Sequence, residues 1–155
     1  MTERLVPLKI KKLKSYDSSL PLPVYESEGA AGADLRASFD DKSGVTVAPG
    51  KRVLIPTGLS FEIPLGYEVQ IRPRSGISLK TDLLVVNSPG TIDSDYRGEI
   101  KIIIGNFGNE DIFIEHGMRI AQMVICPVWQ AKIEIEENLS ETSRGEGGFG
   151  STGVN

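Results

Sequence analysis

The sequence predicts an all-β fold, a sandwich or a barrel, on three observations. Apolar residues alternate with polar ones at a period of two. Turn residues, chiefly Gly, Pro and Asn, recur about every ten positions. No amphipathic helix of ordinary length is present.

The elements follow in order. "LKIKKL" at 8–13 is a short strand, and "VTVAPGKRVLIPTGLSFEI" at 45–63 supplies further strand sequence rich in Val and Ile. In "GYEVQIR", Tyr67, Val69 and Ile71 alternate with Glu68, Gln70 and Arg72, giving one apolar and one polar face. "SGISLKTD" at 75–82 predicts one short helix starting at Ser75. "LLVVNSPGTID" at 83–93 predicts two strands joined at "SPG". "EIKIIIGNF", "DIFIE" and "AQMVICPV" predict three more. In "AKIEIEE", Ile133 and Ile135 alternate with Lys132, Glu134 and Glu136, which predicts a last strand. Between Arg144 and Gly153 stand five glycines, one aromatic and one arginine. Glycine loses the most entropy on ordering, so this segment is expected to be mobile when free.

A chain of 155 residues suits one domain with a real core. Its net charge of −4 offers no general attraction to nucleic acid or to an anionic membrane. A phosphorylated ligand would have to be held by local basic groups and backbone amides. The single Cys126 cannot close an internal disulfide, which points to a reducing compartment. Its apolar neighbours predict a buried, inert thiol. His116 reads as a turn residue and lacks the ligand cluster of a metal site. "MTERLVPLKIKKLK" holds no apolar run of signal-peptide length, so a soluble, cytoplasmic protein is expected.

Five stretches stand out from the strand background: "AGADLRA", "RPRSGIS", "NSPGTIDSDYRGEI", "GMRIAQMVI" and "RGEGGFGSTG". Each alone has a plain structural reading as a turn, a cap or a solvent-facing strand residue. Together they carry the groups a nucleotide needs. Arg74 and Arg144 are phosphate ligands by type, since a guanidinium binds two oxygens at once. Ser75 and Gly76 offer a hydroxyl and N–H groups to an anion. Phe149, alone among glycines, suits a stacked base. Asp34 and Asp93 suit a magnesium ion or an activated water. Neither a Walker-type loop nor a dinucleotide fingerprint is present.

In this order and spacing the five stretches resemble the five motifs of the trimeric dUTP pyrophosphatases, or dUTPases, from about Lys9 to Gly153. The resemblance implies a jelly-roll-like β-barrel over residues 1–143 and a flexible glycine-rich arm over 144–155. It implies a homotrimer with active sites at subunit interfaces. It implies hydrolysis of dUTP to dUMP and pyrophosphate by water attack at the α-phosphorus, which keeps dUTP low and supplies dUMP for thymidylate synthesis. By this resemblance Asp93 is the general base, and Asp95 supports its loop. Mg2+ is held directly by the substrate phosphates and reached by Asp34 only through water. Arg74, Ser75, Gly76 and Gln122 meet the phosphates, with the Ser75 hydroxyl at the α–β bridging oxygen. Asn87 and the backbone near Thr91, Ile92 and Asp93 read the uracil. Tyr96 lies against the deoxyribose and leaves no room for a 2′-hydroxyl, with Lys101 near the same pocket. Gly98 lets the chain turn into the next strand. Arg144, Gly150, Ser151 and Thr152 lie in the closing arm, where Phe149 stacks on the base.

Two other functions share part of this pattern. A deoxycytidine-triphosphate deaminase resembles the fold but lacks the tyrosine gate and the glycine-rich arm. A module that binds dUTP or dUMP without hydrolysis would have little use for Asp93.

Overall fold

The computed structural model describes residues 5–148. The predicted all-β class holds there: eleven elements are found, and ten of them are strands. They are β1 (Lys9–Lys12), β2 (Ala33–Arg36), β3 (Val45–Val47), β4 (Arg52–Glu62), β5 (Tyr67–Arg72), α1 (Ser75–Lys80), β6 (Leu83–Val85), β7 (Gly90–Ile92), β8 (Glu99–Asn106), β9 (Ile112–Ile114) and β10 (Arg119–Pro127). Among the described residues no helix is long and apolar enough to cross a membrane.

All strand pairs are antiparallel. One four-stranded sheet runs β1-β4-β8-β6, a second runs β2-β10-β5-β7, and β3 pairs with β9. Period-two sequence makes this possible because alternate side chains share a face. On β8, Ile100, Ile102 and Ile104 are buried, while Glu99, Lys101 and Ile103 face the other way. On β5, Val69 and Ile71 are buried between Glu68, Gln70 and Arg72. Residues from all three sheets enter one core, including Leu35, Val47, Ile55, Phe61, Ile114 and Ile120. Burying each such side chain contributes roughly 1.5–3 kcal/mol.

β4 is broken in the middle by a bulge between Pro56 and Ser60. Gly58 has a φ of 67° there, which a side chain rarely adopts. The buried Thr57 closes the gap by donating its hydroxyl to the Ile100 carbonyl at 2.6 Å. No buried side-chain nitrogen or oxygen among the described residues lacks a partner.

The structure departs from the sequence reading at four places. β2 was not expected as a strand; two buried positions, Ala33 and Leu35, suffice once β10 lies beside it. β6 and β7 are both strands, but they do not form a hairpin. β6 pairs with β8 and β7 with β5, so residues 86–89 cross from one sheet to the other. Residues 131–137 form no strand, and Ile133 and Ile135 are almost fully exposed. The alternation is there, but among the described residues the segment pairs with no strand. Cys126 is half-buried rather than enclosed, because β10 turns it to the outer face, 3.7 Å from the Arg72 guanidinium.

Candidate active site

β10 lies between β2 and β5, and this arrangement builds the first group of site residues. Gln122 stands opposite both Asp34 on β2 and Arg72 on β5. Its amide donates to the Pro73 carbonyl at 2.9 Å. Arg74 follows directly, and its Nε–H donates to Asp34 Oδ1 at 2.6 Å. Arg119, at the start of β10, donates to the other oxygen of Asp34 at 3.1 Å. Two guanidiniums share this carboxylate, and Glu26 stands 4.0 Å from Arg119 as a second, more exposed acid. Guanidiniums held in place this way are groups of the kind a polyphosphate seeks. Arg119 was missed from the sequence. It lies in the quoted "GMRIAQ", but only register could show that it reaches Asp34. Ser75 and Gly76 begin α1 beside this cluster and are exposed. Arg74 is the N-cap residue in extended conformation, and no side chain caps the helix.

Gly32 supports Gln122 from below. A Cβ there would lie 2.2 Å from the Gln122 side-chain oxygen, so the bare glycine leaves room for the amide.

The second group surrounds a cavity of about 220 Å³, lined by Asn87, Gly90, Thr91, Ile92, Tyr96 and Lys101 among others. β7 brings Gly90 opposite Ile71, and Gly90 must be small: an added Cβ would crowd the Asn87 amide at 3.1 Å and Ile71 at 3.3 Å. Lys101 points outward from β8 and is held by Glu99 at 3.3 Å. Glu99 is anchored in turn by the Gly58 N–H at 2.9 Å, a bond that the β4 bulge makes available. Glu99 is a second lining residue the sequence did not single out.

Asp93 is exposed and lines a different, wider groove of about 990 Å³ with Tyr67, Glu68, Ser94, Asp95 and Trp129. Thr91 borders both spaces. The Asp93 loop is tied down by its own bonds. Tyr96 N–H donates to the Asp93 carbonyl at 3.2 Å. Arg97 donates to the carbonyls of Ser94 and Tyr96 at 2.7 and 2.9 Å. Ser60 donates to the Arg97 carbonyl at 2.7 Å.

The two groups stand apart. β5 pairs with β7 so that Val69 faces Ile92. One step further along that register, Asp93 would face Glu68. Arg72, where β5 ends, is four residues away, roughly 13 Å of strand, and Arg74 lies beyond it. A single chain therefore holds the Asp34–Arg74–Arg119 cluster and Asp93 towards opposite ends of β5.

The described residues contain no group of three His, Cys, Asp or Glu side chains able to hold a metal ion. Both oxygens of Asp34 already accept from arginines. This donor set suits an ion carried by substrate phosphates and touched through water, not one caged by protein. His116 has a structural place: Nδ1 accepts from the Phe39 N–H at 3.2 Å and Nε2 stands 3.1 Å from Asp17. Arg144 bonds locally to the Gly147 carbonyl at 2.7 Å, and no bond among the described residues joins it to either group. Phe149, Gly150, Ser151 and Thr152 lie outside the described residues.

The family profile for dUTPase matches residues 18–153. The chain belongs to the dUTPase family. It is 60% identical over 149 residues to the deoxyuridine 5'-triphosphate nucleotidohydrolase of Roseobacter denitrificans, covering 96% of this chain and 97% of that one. It is 60% identical over 135 residues to the enzyme of the same name from Rhizobium etli strain CIAT 652, covering 87% and 86%. Among solved structures, the dUTPase of Staphylococcus bacteriophage 80alpha with dUPNHPP superposes with a TM-score of 0.81 at 31% identity, covering 96% of this chain and 99% of that one. The dUTPase fold accounts for the sheet pairing described above. The reaction of the family is dUTP hydrolysis, and a dCTP deaminase reading is not favoured.

Proposed function

We propose that this dUTPase family member hydrolyses dUTP to dUMP and pyrophosphate with the residues grouped above. One observation carries the reading: in the stretch 87–96, Asn87, Thr91 and Tyr96 line a small cavity and Asp93 lines the groove that shares Thr91 with it. At about 220 Å³, the cavity is smaller than the ~300–1,000 Å³ typical of drug-sized ligands. It suits a base and a sugar, with the triphosphate left outside. Asn87 and the backbone of 91–93 pair with uracil, and a mismatched base leaves polar groups unpaired. Tyr96 covers the sugar and excludes a 2′-hydroxyl.

Asp93 accepts the proton of the attacking water, a task suited to an exposed carboxylate. Arg74, with Gln122 and the Ser75 hydroxyl, orients the phosphates and stabilises charge on the leaving pyrophosphate. Asp34 keeps Arg74 and Arg119 in place. Asp34 would reach a magnesium ion through water, and the ion, held by the substrate phosphates, would supply charge neutralisation.

The assembly proposed is a homotrimer with shared sites. Two features support it. Asp93 and Arg74 lie towards opposite ends of β5, too far apart to serve one α-phosphate within a chain. Residues 131–137 carry strand alternation yet pair with no strand among the described residues, and Trp129 beside them is 93% exposed. A second copy can pair with this segment, and unpaired strand sequence invites such pairing. The arm over 144–155 then closes on the phosphates and base through Arg144, Phe149, Gly150, Ser151 and Thr152. A cytoplasmic setting fits the lone Cys126.

A phosphate-release assay with added pyrophosphatase tests the reaction. The protein with magnesium should turn over dUTP and leave dCTP, dTTP and UTP nearly untouched, and chelation should stop it. Ammonia release from dCTP, or binding of dUTP without turnover, would overturn the assignment.

A further inference from the structure

The residue after Arg97 is glycine for a reason that backbone geometry does not supply. Gly98 is not among the glycines with positive φ, so its conformation is open to any residue. What it lacks is space. A Cβ on Gly98 would lie 2.3 Å from the Tyr96 hydroxyl oxygen, 2.5 Å from Cζ and 2.9 Å from Cε2. All three atoms belong to the Tyr96 ring, and no backbone atom comes as close. The ring folds back over the bare Cα of Gly98, and its hydroxyl donates to the Glu99 carbonyl at 3.0 Å. The ring is thus held at both ends, by the turn that bonds Tyr96 N–H to Asp93 and by its own hydroxyl. Tyr96 also lines the small cavity.

We infer that Gly98 is a specificity-positioning residue: it seats the Tyr96 ring at the depth that decides which sugar the cavity admits. The inference rests on the reading of Tyr96 as the sugar gate. Any side chain at 98 must push the ring away. Tyr96 is 44% exposed, so the ring has somewhere to go, and the core beneath it is untouched. The displaced ring loses its bond to Glu99. It then either enters the cavity or swings off it, and in both cases the fit to deoxyribose is lost. Gly98 touches no substrate atom and acts only through the ring.

The test compares kcat/KM for dUTP and for UTP in Gly98→Ala, Tyr96→Ala and the double variant. Gly98→Ala should lower the dUTP-over-UTP ratio by about tenfold or more, within the ~10² that pocket shape supplies against an added hydroxyl. Tyr96→Ala should lower it too. In the double variant the alanine at 98 should change nothing further, because the ring it would displace is gone. A merely structural role for Gly98 would lower both rates together and leave the ratio alone. If Tyr96→Ala keeps the ratio, the sugar-gate reading falls and this inference with it. If Tyr96→Ala lowers the ratio and Gly98→Ala does not, or if the two effects add, the inference alone is wrong. Should Gly98→Ala fail to fold, the double variant must fold. If it does not, glycine serves the backbone and the ring is not the reason.

Discussion

Arg74 donates its Nε–H to Asp34 at 2.6 Å, and the same carboxylate accepts from Arg119 at 3.1 Å. The residues meet because β10 lies between their two strands. Asp34→Asn would remove the charge that holds both guanidiniums. Misplaced phosphate ligands should lower kcat/KM for dUTP by roughly 10–100-fold. The magnesium concentration for half-maximal activity should rise as well. Unchanged values for both would show that the arginines need no such partner.

Asp93 stands exposed beside the cavity, free to meet a water molecule. Asp93→Asn keeps the shape of the side chain and removes the base. Turnover should fall by roughly 10²–10⁴-fold while a non-hydrolysable dUTP analogue still binds, as calorimetry can measure. Near-normal turnover would take Asp93 out of the role.

The separation of Asp93 from Arg74 along β5 predicts complementation. Asp93→Asn and Arg74→Ala should each be inactive alone. Mixed, unfolded together and refolded, they should regain activity, because some sites combine an intact Asp93 from one chain with an intact Arg74 from another. Native mass spectrometry at micromolar concentration should find a trimer. A monomer, or no recovery of activity, would count against shared sites.

Asp17 ties the loop before β2 to its surroundings. Its carboxyl is held well below the usual carboxylate range, first by Lys42 at 2.7 Å, then by the N–H and hydroxyl of Ser19, with His116 adding less. Burial works the other way. A carboxyl whose folded pKa is depressed stabilises the fold above its unfolded pKa, near ~4, and loses that contribution as pH falls towards the folded value. Asp17→Asn should therefore melt below the parent at pH 7, and the gap should shrink as pH drops below about 4. Thermal unfolding by circular dichroism between pH 3 and pH 7 checks this. A gap that stays constant would mean the ion pair contributes nothing.

Removing everything after Ser143 should leave the melting temperature almost unchanged, since core residues end well before it. Most turnover should nonetheless vanish. Ordering a glycine-rich segment costs roughly 1–2 kcal/mol per residue, which only contacts with bound nucleotide can offset. Full activity in the truncated protein would make the segment a tail and nothing more.

The sequence by itself determined the class of fold and, through its five motif stretches, the family. Alternation in "GYEVQIR" and "EIKIIIGNF" could be read directly, because burial of one sheet face selects every second side chain. The motif residues were named through the resemblance to the dUTPases, since each stretch taken singly also reads as a turn, a cap or a solvent-facing strand residue. The tertiary structure decided the partners. Alternation says which face is buried, not which strand lies alongside, so the placement of β6 and β7 in different sheets could not be read. The same holds for Arg119 reaching Asp34, which depends on β2 and β10 being neighbours. Gly98 was legible as a glycine but not as the seat of a ring, since that contact depends on where Tyr96 folds back. Residues 131–137 show the converse. Their alternation is plain, yet among the described residues they pair with no strand, because alternation makes a segment fit a sheet without bringing an edge alongside it.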